Sequence, residues 1–144
     1  MIRIVCVGKI KEKFYRDAID EYLKRMSKYH KVEIVEVMDS NMKNEAVDIL
    51  KKITDKEFVV TLEIDGNNIS SLELSSFIDK TLINNSVITF VIGGSDGLDE
   101  EVKRRSNYKL SFSKMTFPHQ LFRVILLEQI YRSFKIINNE TYHK

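Results

Sequence analysis

Two spacings of apolar residues take turns along the chain. Ile2 to Val7 is apolar at every position except Arg3, as in a strand buried on both faces. Phe14, Ala18, Ile19, Tyr22, Leu23 and Met26 then recur at helical spacing, and Val32, Ile34 and Val37 predict a second strand. A polar stretch over Ser40 to Asn44 leads into a short helix carrying Ala46, Ile49, Leu50 and Ile53. Phe58 to Ile64 predicts a buried strand stopped by Asp65-Gly66. Ser70 and Glu73 stand at capping-box spacing and open a helix with Leu74, Phe77, Ile78 and Leu82 on its apolar side. Val87 to Ile92 predicts a fourth strand, Asp99 to Arg105 a short helix and Lys109 to Phe112 a fifth strand. A long helix from His119 to about Ile136 follows Pro118, whose missing N–H is harmless at a helix entrance.

Strands that alternate with helices predict an α/β fold, with a mainly parallel sheet flanked by helices on both faces. No linker, repeat or low-complexity segment divides the 144 residues, so the expectation is one domain over residues 1–144. In the last helix Leu121, Phe122, Val124, Ile125, Leu126, Leu127, Ile130, Tyr131 and Phe134 wrap most of the circumference. One face serves the chain's own core, and the second predicts a partner subunit, most simply an isologous homodimer. Burial of both faces within one chain is the competing explanation.

Composition narrows the partners. A content of 43% hydrophobic and 31% charged residues suits a folded core with a solvated surface. The net charge of +2 excludes a polycation that binds nucleic acid indiscriminately. Local basic clusters remain at Lys9, Lys11, Lys13 and Arg16, at Lys24, Arg25, Lys28 and Lys31, and at Lys103, Arg104 and Arg105. Any of them beside a pocket can position a phosphate backbone without reading sequence. Cys6 is the one cysteine, so an intramolecular disulfide and a thiol metal cluster are both excluded, and a reducing, cytoplasmic setting is expected. No apolar run approaches the roughly 20 residues that span a bilayer, and the expectation is a soluble protein with no membrane partner.

Candidate chemistry gathers where two strands end. Phe90-Val91-Ile92 runs into Gly93-Gly94-Ser95-Asp96-Gly97-Leu98, and Leu110-Ser111-Phe112 runs into Ser113-Lys114-Met115-Thr116-Phe117. Residues without a Cβ let a ligand approach the main chain, and open α/β sheets bind small molecules at the carboxyl ends of their strands. A tight strand-to-helix turn would explain an isolated Gly-Gly equally well, but the second segment favours a pocket. The turn lacks the spacing of a dinucleotide fold and the Lys-Ser/Thr of a phosphate loop. His30, His119 and His143 have no zinc-site spacing, so no metal is expected, and no G-x-S-x-G elbow occurs.

These segments, in order with Val7-Gly8-Lys9, Thr61-Leu62-Glu63-Ile64, Ser106-Asn107-Tyr108, Pro118-His119, Arg123, Glu128-Gln129, Tyr131-Arg132 and the terminal Tyr142-His143-Lys144, resemble the ribosomal RNA large subunit methyltransferase H family over essentially the whole chain. The segment around Met38 to Asn44 looks shorter than in many of its members. The resemblance implies a SPOUT-type fold with a C-terminal trefoil knot. It also implies S-adenosyl-L-methionine as cofactor, N3 of a pseudouridine in 23S rRNA as acceptor, and a large-subunit rRNA partner within a ribosomal particle. A SPOUT enzyme acting on another RNA, such as tRNA, and a non-catalytic ribosome-binding module are the alternatives.

Carried over from the family, the cofactor site comprises Leu62, Gly93, Phe112, Ser113, Lys114, Met115, Thr116 and Phe117. Catalytic candidates are Tyr142 and His143, reaching in from a partner's tail with Lys144, together with His119 and Arg123, which could orient the base or stabilise its charge. Histidine titrates in a range that suits a general base, yet positioning or phosphate contact fits as well, and no unique base is assigned.

Overall fold

The computed structural model describes residues Met1–Lys144. Five strands, β1 (Ile2–Val7), β2 (Val32–Val37), β3 (Phe58–Asn68), β4 (Ile88–Ile92) and β5 (Tyr108–Ser111), form one sheet in the order β2-β1-β4-β3-β5. Every pairing is parallel. Helices α1 (Lys13–Met26), α2 (Met42–Lys51), α3 (Ser71–Asn84), α4 (Glu100–Arg105) and α5 (His119–Ile137) connect or follow them.

The strict alternation of side chains along a strand divides the core in two. Ile2, Ile4 and Cys6 of β1 and Ile88, Phe90 and Ile92 of β4 face α1, α3 and α5. Val5, Val7, Val59 and Val91 face the smaller layer built on Ala46 and Ile49 of α2 and Val102 of α4. Because both faces are covered, β4 is buried along its whole length. Buried Cys6 has its thiol pushed up to about 12, chiefly by burial, which makes it packing and not a nucleophile.

Local signals hold where hydrogen bonds are local. Ser70 caps α3 through the Glu73 N–H, and the Glu73 carboxylate accepts in return from the Ser70 N–H. Ile53 falls beyond α2, whose last residue is Lys51. The larger difference lies in β3, which does not stop at Asp65-Gly66. It bulges after Leu62 and rejoins β5 at Asn67, so that both Leu62 and Asn67 stand opposite Leu110. At the bulge the Gly66 backbone presses on β5, and a Cβ there would lie 2.8 Å from the Lys109 carbonyl carbon. The predicted turn residues are present, but they bend the strand outward without ending it.

Candidate active site at the carboxyl ends of three strands

A cavity of about 330 Å³ opens at the carboxyl ends of β3, β4 and β5. The bulge supplies Leu62, Glu63 and Ile64, the turn after β4 supplies Gly93 to Leu98, and the segment after β5 supplies Phe112, Ser113, Met115, Thr116 and Phe117. His119 and Phe122 close it from the first turn of α5. Aromatic packing shapes the wall, with the Phe122 ring centroid 5.1 Å from that of Phe112 and 5.8 Å from that of Phe117. The Met115 N–H donates to Ser113 Oγ (3.0 Å), which folds the segment after β5 back on itself.

The turn after β4 uses its glycines for its own closure. A Cβ on Gly93 would stand 2.7 Å from the Gly97 carbonyl carbon and oxygen, so a side chain there would push the turn apart. The sequence-based expectation was that a ligand occupies that space; Gly93 does line the cavity, but the turn itself fills the position of its missing Cβ. Gly97 adopts φ +82°, the left-handed region that suits glycine. Behind the turn lies Glu45, a buried carboxylate that accepts from the Ser40 N–H (2.9 Å). Burial first, then the neighbouring Asp39 and Asp96, push its carboxyl above the ordinary value despite that hydrogen bond.

Of the eight residues expected to hold the cofactor, seven line this cavity. Lys114 does not; it lines a neighbouring depression with Ile64, Asp65 and Gly66. The two carboxylates of the lining are Asp96, which the sequence placed in the candidate turn without a role, and Glu63, which it did not place there; no lysine or arginine lines it. Glu63 Oε2 accepts from Thr61 Oγ1 at 2.6 Å. Its signal is simply its position next to Leu62, readable only once the bulge is known.

The catalytic candidates separate into three places. His119 lies at the cavity, with Nε2 3.8 Å from the point where a Cβ on Gly8 would stand. Arg123 is not at the cavity. It is 2% exposed, and its Nη1 donates to Glu36 Oε2 (2.6 Å) while Nη2 donates to the Gly8 carbonyl (3.1 Å). Through these bonds it ties α5 to the ends of β1 and β2. Tyr142 and His143 lie on the middle of α5. Tyr142 Oη donates to Glu128 Oε2 (2.9 Å), the Tyr142 ring meets Tyr131 edge-on at 4.9 Å, and Arg132 Nη1 lies 3.0 Å from His143 Nδ1. Burial, followed by the Glu128 carboxylate, pushes the Tyr142 phenol up to about 12, so it stays a donor at neutral pH.

Helix α5 has two distinct sides. Leu126, Leu127 and Ile130 are fully buried, packed with α1 and α3 on the sheet. Leu121, Ile125 and Ile136 are half-buried and belong to neither core layer. With Glu128 and Arg132 they fall at three- and four-residue steps, so all five share one stripe. His119 and Glu128 are nine residues apart, two and a half turns, which sets the tail about 13 Å along the helix axis from the residue that closes the cavity.

Comparison with known proteins adds a lineage to this geometry. A family model described as "Predicted SPOUT methyltransferase" matches residues 1–143. Proteins named Ribosomal RNA large subunit methyltransferase H are similar over nearly their whole length. The one from Clostridium botulinum strain Langeland is 55% identical, and the one from strain Alaska E43 is 53% identical. Each match covers 99% of this chain and 99% of the relative. Among solved structures, a probable methylase family protein from Haemophilus influenzae Rd KW20 superposes with a TM-score of 0.55 at 14% identity, covering 99% of this chain and 70% of that one, which supports the fold. A cavity framed by a glycine turn at parallel strand ends, on a chain matched from end to end, leads to one assignment: this protein belongs to the ribosomal RNA large subunit methyltransferase H family of SPOUT methyltransferases.

Proposed function

We propose that this protein transfers the methyl group of S-adenosylmethionine to N3 of a pseudouridine in large-subunit rRNA, and does so as a homodimer. The observation that carries the reading is the cavity at the ends of β3, β4 and β5 in a chain of this family. Its volume lies within the range of small-molecule sites. Its lining suits the cofactor's chemistry: Leu62, Met115 and Phe117 offer apolar surface to a purine, and Glu63 and Asp96, with no lysine or arginine beside them, favour a cation. The hydroxyls of Ser113 and Thr116 and the main chain of the two turns supply polar partners for a ribose.

When bound, S-adenosylmethionine supplies an electrophilic methyl group on a sulfonium. Transfer forms the N3–C bond as the S–C bond breaks, leaves a neutral thioether, and passes the N3 proton to solvent water. The leaving group needs no acid, so the chain's main task is alignment of nucleophile and methyl carbon. His119 is the residue of this chain's own cavity best placed to meet the acceptor base. Tyr142 and His143 serve the cavity of the partner, because Glu128 and Arg132 hold them on the half-buried stripe, away from the first turn of α5 that closes their own. The half-buried stripe of Leu121, Ile125 and Ile136 is the surface proposed for that partner. A ribosomal substrate makes the cytoplasm the working compartment.

Calorimetric titration with S-adenosylmethionine and S-adenosylhomocysteine tests the cavity. Phe117→Ala removes an apolar wall and is expected to weaken both by about tenfold or more, the scale of burying one aromatic side chain. Unchanged affinity in the folded variant would sink the assignment. Transfer of labelled methyl to ribosomes, isolated subunits, free rRNA and tRNA, followed by mapping of the modified nucleoside, tests the acceptor. Label confined to tRNA would overturn it.

A further inference from the structure

We propose that Glu128 and Arg132 are positioning residues that present His143 as a neutral imidazole with its Nε2–H outward, a hydrogen-bond donor to the acceptor base and not the group that removes its proton. The inference rests on the reading that the tail serves a partner's cavity, and it concerns what the tail does there.

The geometry is specific. Glu128 Oε2 accepts from Tyr142 Oη at 2.9 Å and from Arg132 Nη2 at 3.0 Å. That pair orients the guanidinium, whose Nη1 reaches His143 Nδ1 at 3.0 Å. Arg132 also stacks over the Tyr142 ring, 4.8 Å from its centroid. Arginine is donor-only, so a hydrogen bond at this distance assigns the lone pair to Nδ1 and the ring proton to Nε2. An imidazole in that state has no free lone pair to take a proton. It can still donate from Nε2 to a carbonyl oxygen flanking N3, where negative charge develops as the imide ionises.

The tail is also ordered in advance. A free terminal tripeptide would lose roughly 1–2 kcal/mol of conformational entropy per residue on docking. Here Glu128 and Arg132 hold the tail before any acceptor arrives, and the edge-on contact of Tyr142 with Tyr131 fixes its ring. The stripe that carries the two positioning residues is the one left outside both core layers, so the tail is held where a partner would meet it.

The test measures kcat and KM for methyl transfer to large ribosomal subunits, with S-adenosylhomocysteine affinity and thermal melting as controls. Glutamine keeps a donor near the position of Nε2 but cannot act as a base. His143→Gln is therefore expected to retain a kcat about tenfold or more above that of His143→Ala, the scale of one hydrogen bond to a charged group. Glu128→Ala and Arg132→Lys are expected to lower kcat by about tenfold while leaving the KM for S-adenosylmethionine unchanged. If His143→Gln is as slow as His143→Ala, the donor role is overturned. Wild-type kcat in both Glu128→Ala and Arg132→Lys overturns the positioning role, and should Glu128→Ala fail to fold, Arg132→Lys decides alone. Nitrogen-15 spectra that show the proton of His143 on Nδ1 also overturn it. Undiminished transfer after deletion of Tyr142 to Lys144 would mean instead that the tail reading beneath it is wrong.

Discussion

Glu57 stands at the amino end of β3, at the opposite end of the sheet from the cavity, and shows how one carboxylate closes a parallel sheet. It is buried and accepts from Arg3 Nη1 (2.5 Å), from the Thr54 N–H (2.7 Å) and from the Thr89 hydroxyl. Burial alone would raise its carboxyl, but the hydrogen bonds from Thr89, Thr54 and Arg3, with the charge of Arg3, together hold it below the ordinary value. Glu57→Ala leaves Arg3 with Glu33 and the Lys52 carbonyl but strands the Thr54 N–H and the Thr89 hydroxyl, and the expected cost is about 1–3 kcal/mol in urea unfolding at pH 7. The sign of the pH effect follows from the depressed value. The stabilisation is complete above the unfolded carboxylate pKa of about 4.3 and disappears as pH falls through the folded-state value, so the gap between wild type and Glu57→Ala should close in acid. A gap that stays constant down to pH 3 would show that the carboxylate charge is not what stabilises the sheet here.

Helix α5 poses the corresponding question for an element, because its apolar residues face in every direction. Leu126 and Leu127 are completely buried, whereas Leu121 is half-buried on the stripe outside both core layers. Leu126→Glu should therefore unfold the chain, and Leu121→Glu should leave it folded but monomeric in light scattering. A wild-type protein that is already monomeric at high concentration refutes the dimer. The sequence made the all-round apolarity plain but not its phase, since a helix apolar on every side carries no periodicity that points at the core. Packing of α1 and α3 against α5 accounts for much of that surface within one chain. The same limit applies to β3: Asp65-Gly66 has the composition of a stop, and only the approach of Gly66 to the Lys109-Leu110 backbone reveals a bulge. Elements whose signals are local, such as the capping box of α3 or the apolar run of β4, needed no tertiary information.

At the scale of the whole molecule, the glycine turn and the Phe112–Phe117 segment made the cavity legible, because each is a strand running into unusual backbone. Glu63 was not legible as its lining, since only the bulge brings it there. Arg123 illustrates the reverse: a motif residue that suggests chemistry and is taken up by the Glu36 carboxylate and the end of β1. The shared site can be tested by mixing. A chain lacking Tyr142 to Lys144 should bind S-adenosylmethionine but transfer little, and a Gly93→Val chain, its turn forced open, should fail to bind. Heterodimers of the two should regain transfer to ribosomes, and loss without rescue argues against a site shared between chains. The separation of cavity and tail along α5, about 13 Å between His119 and Glu128, has a kinetic consequence. If one chain cannot bring its own tail to its own cavity, the enzyme works only in pairs: specific activity should drop on dilution below the dissociation constant of the pair, and an excess of doubly disabled chains should poison the wild type by occupying it.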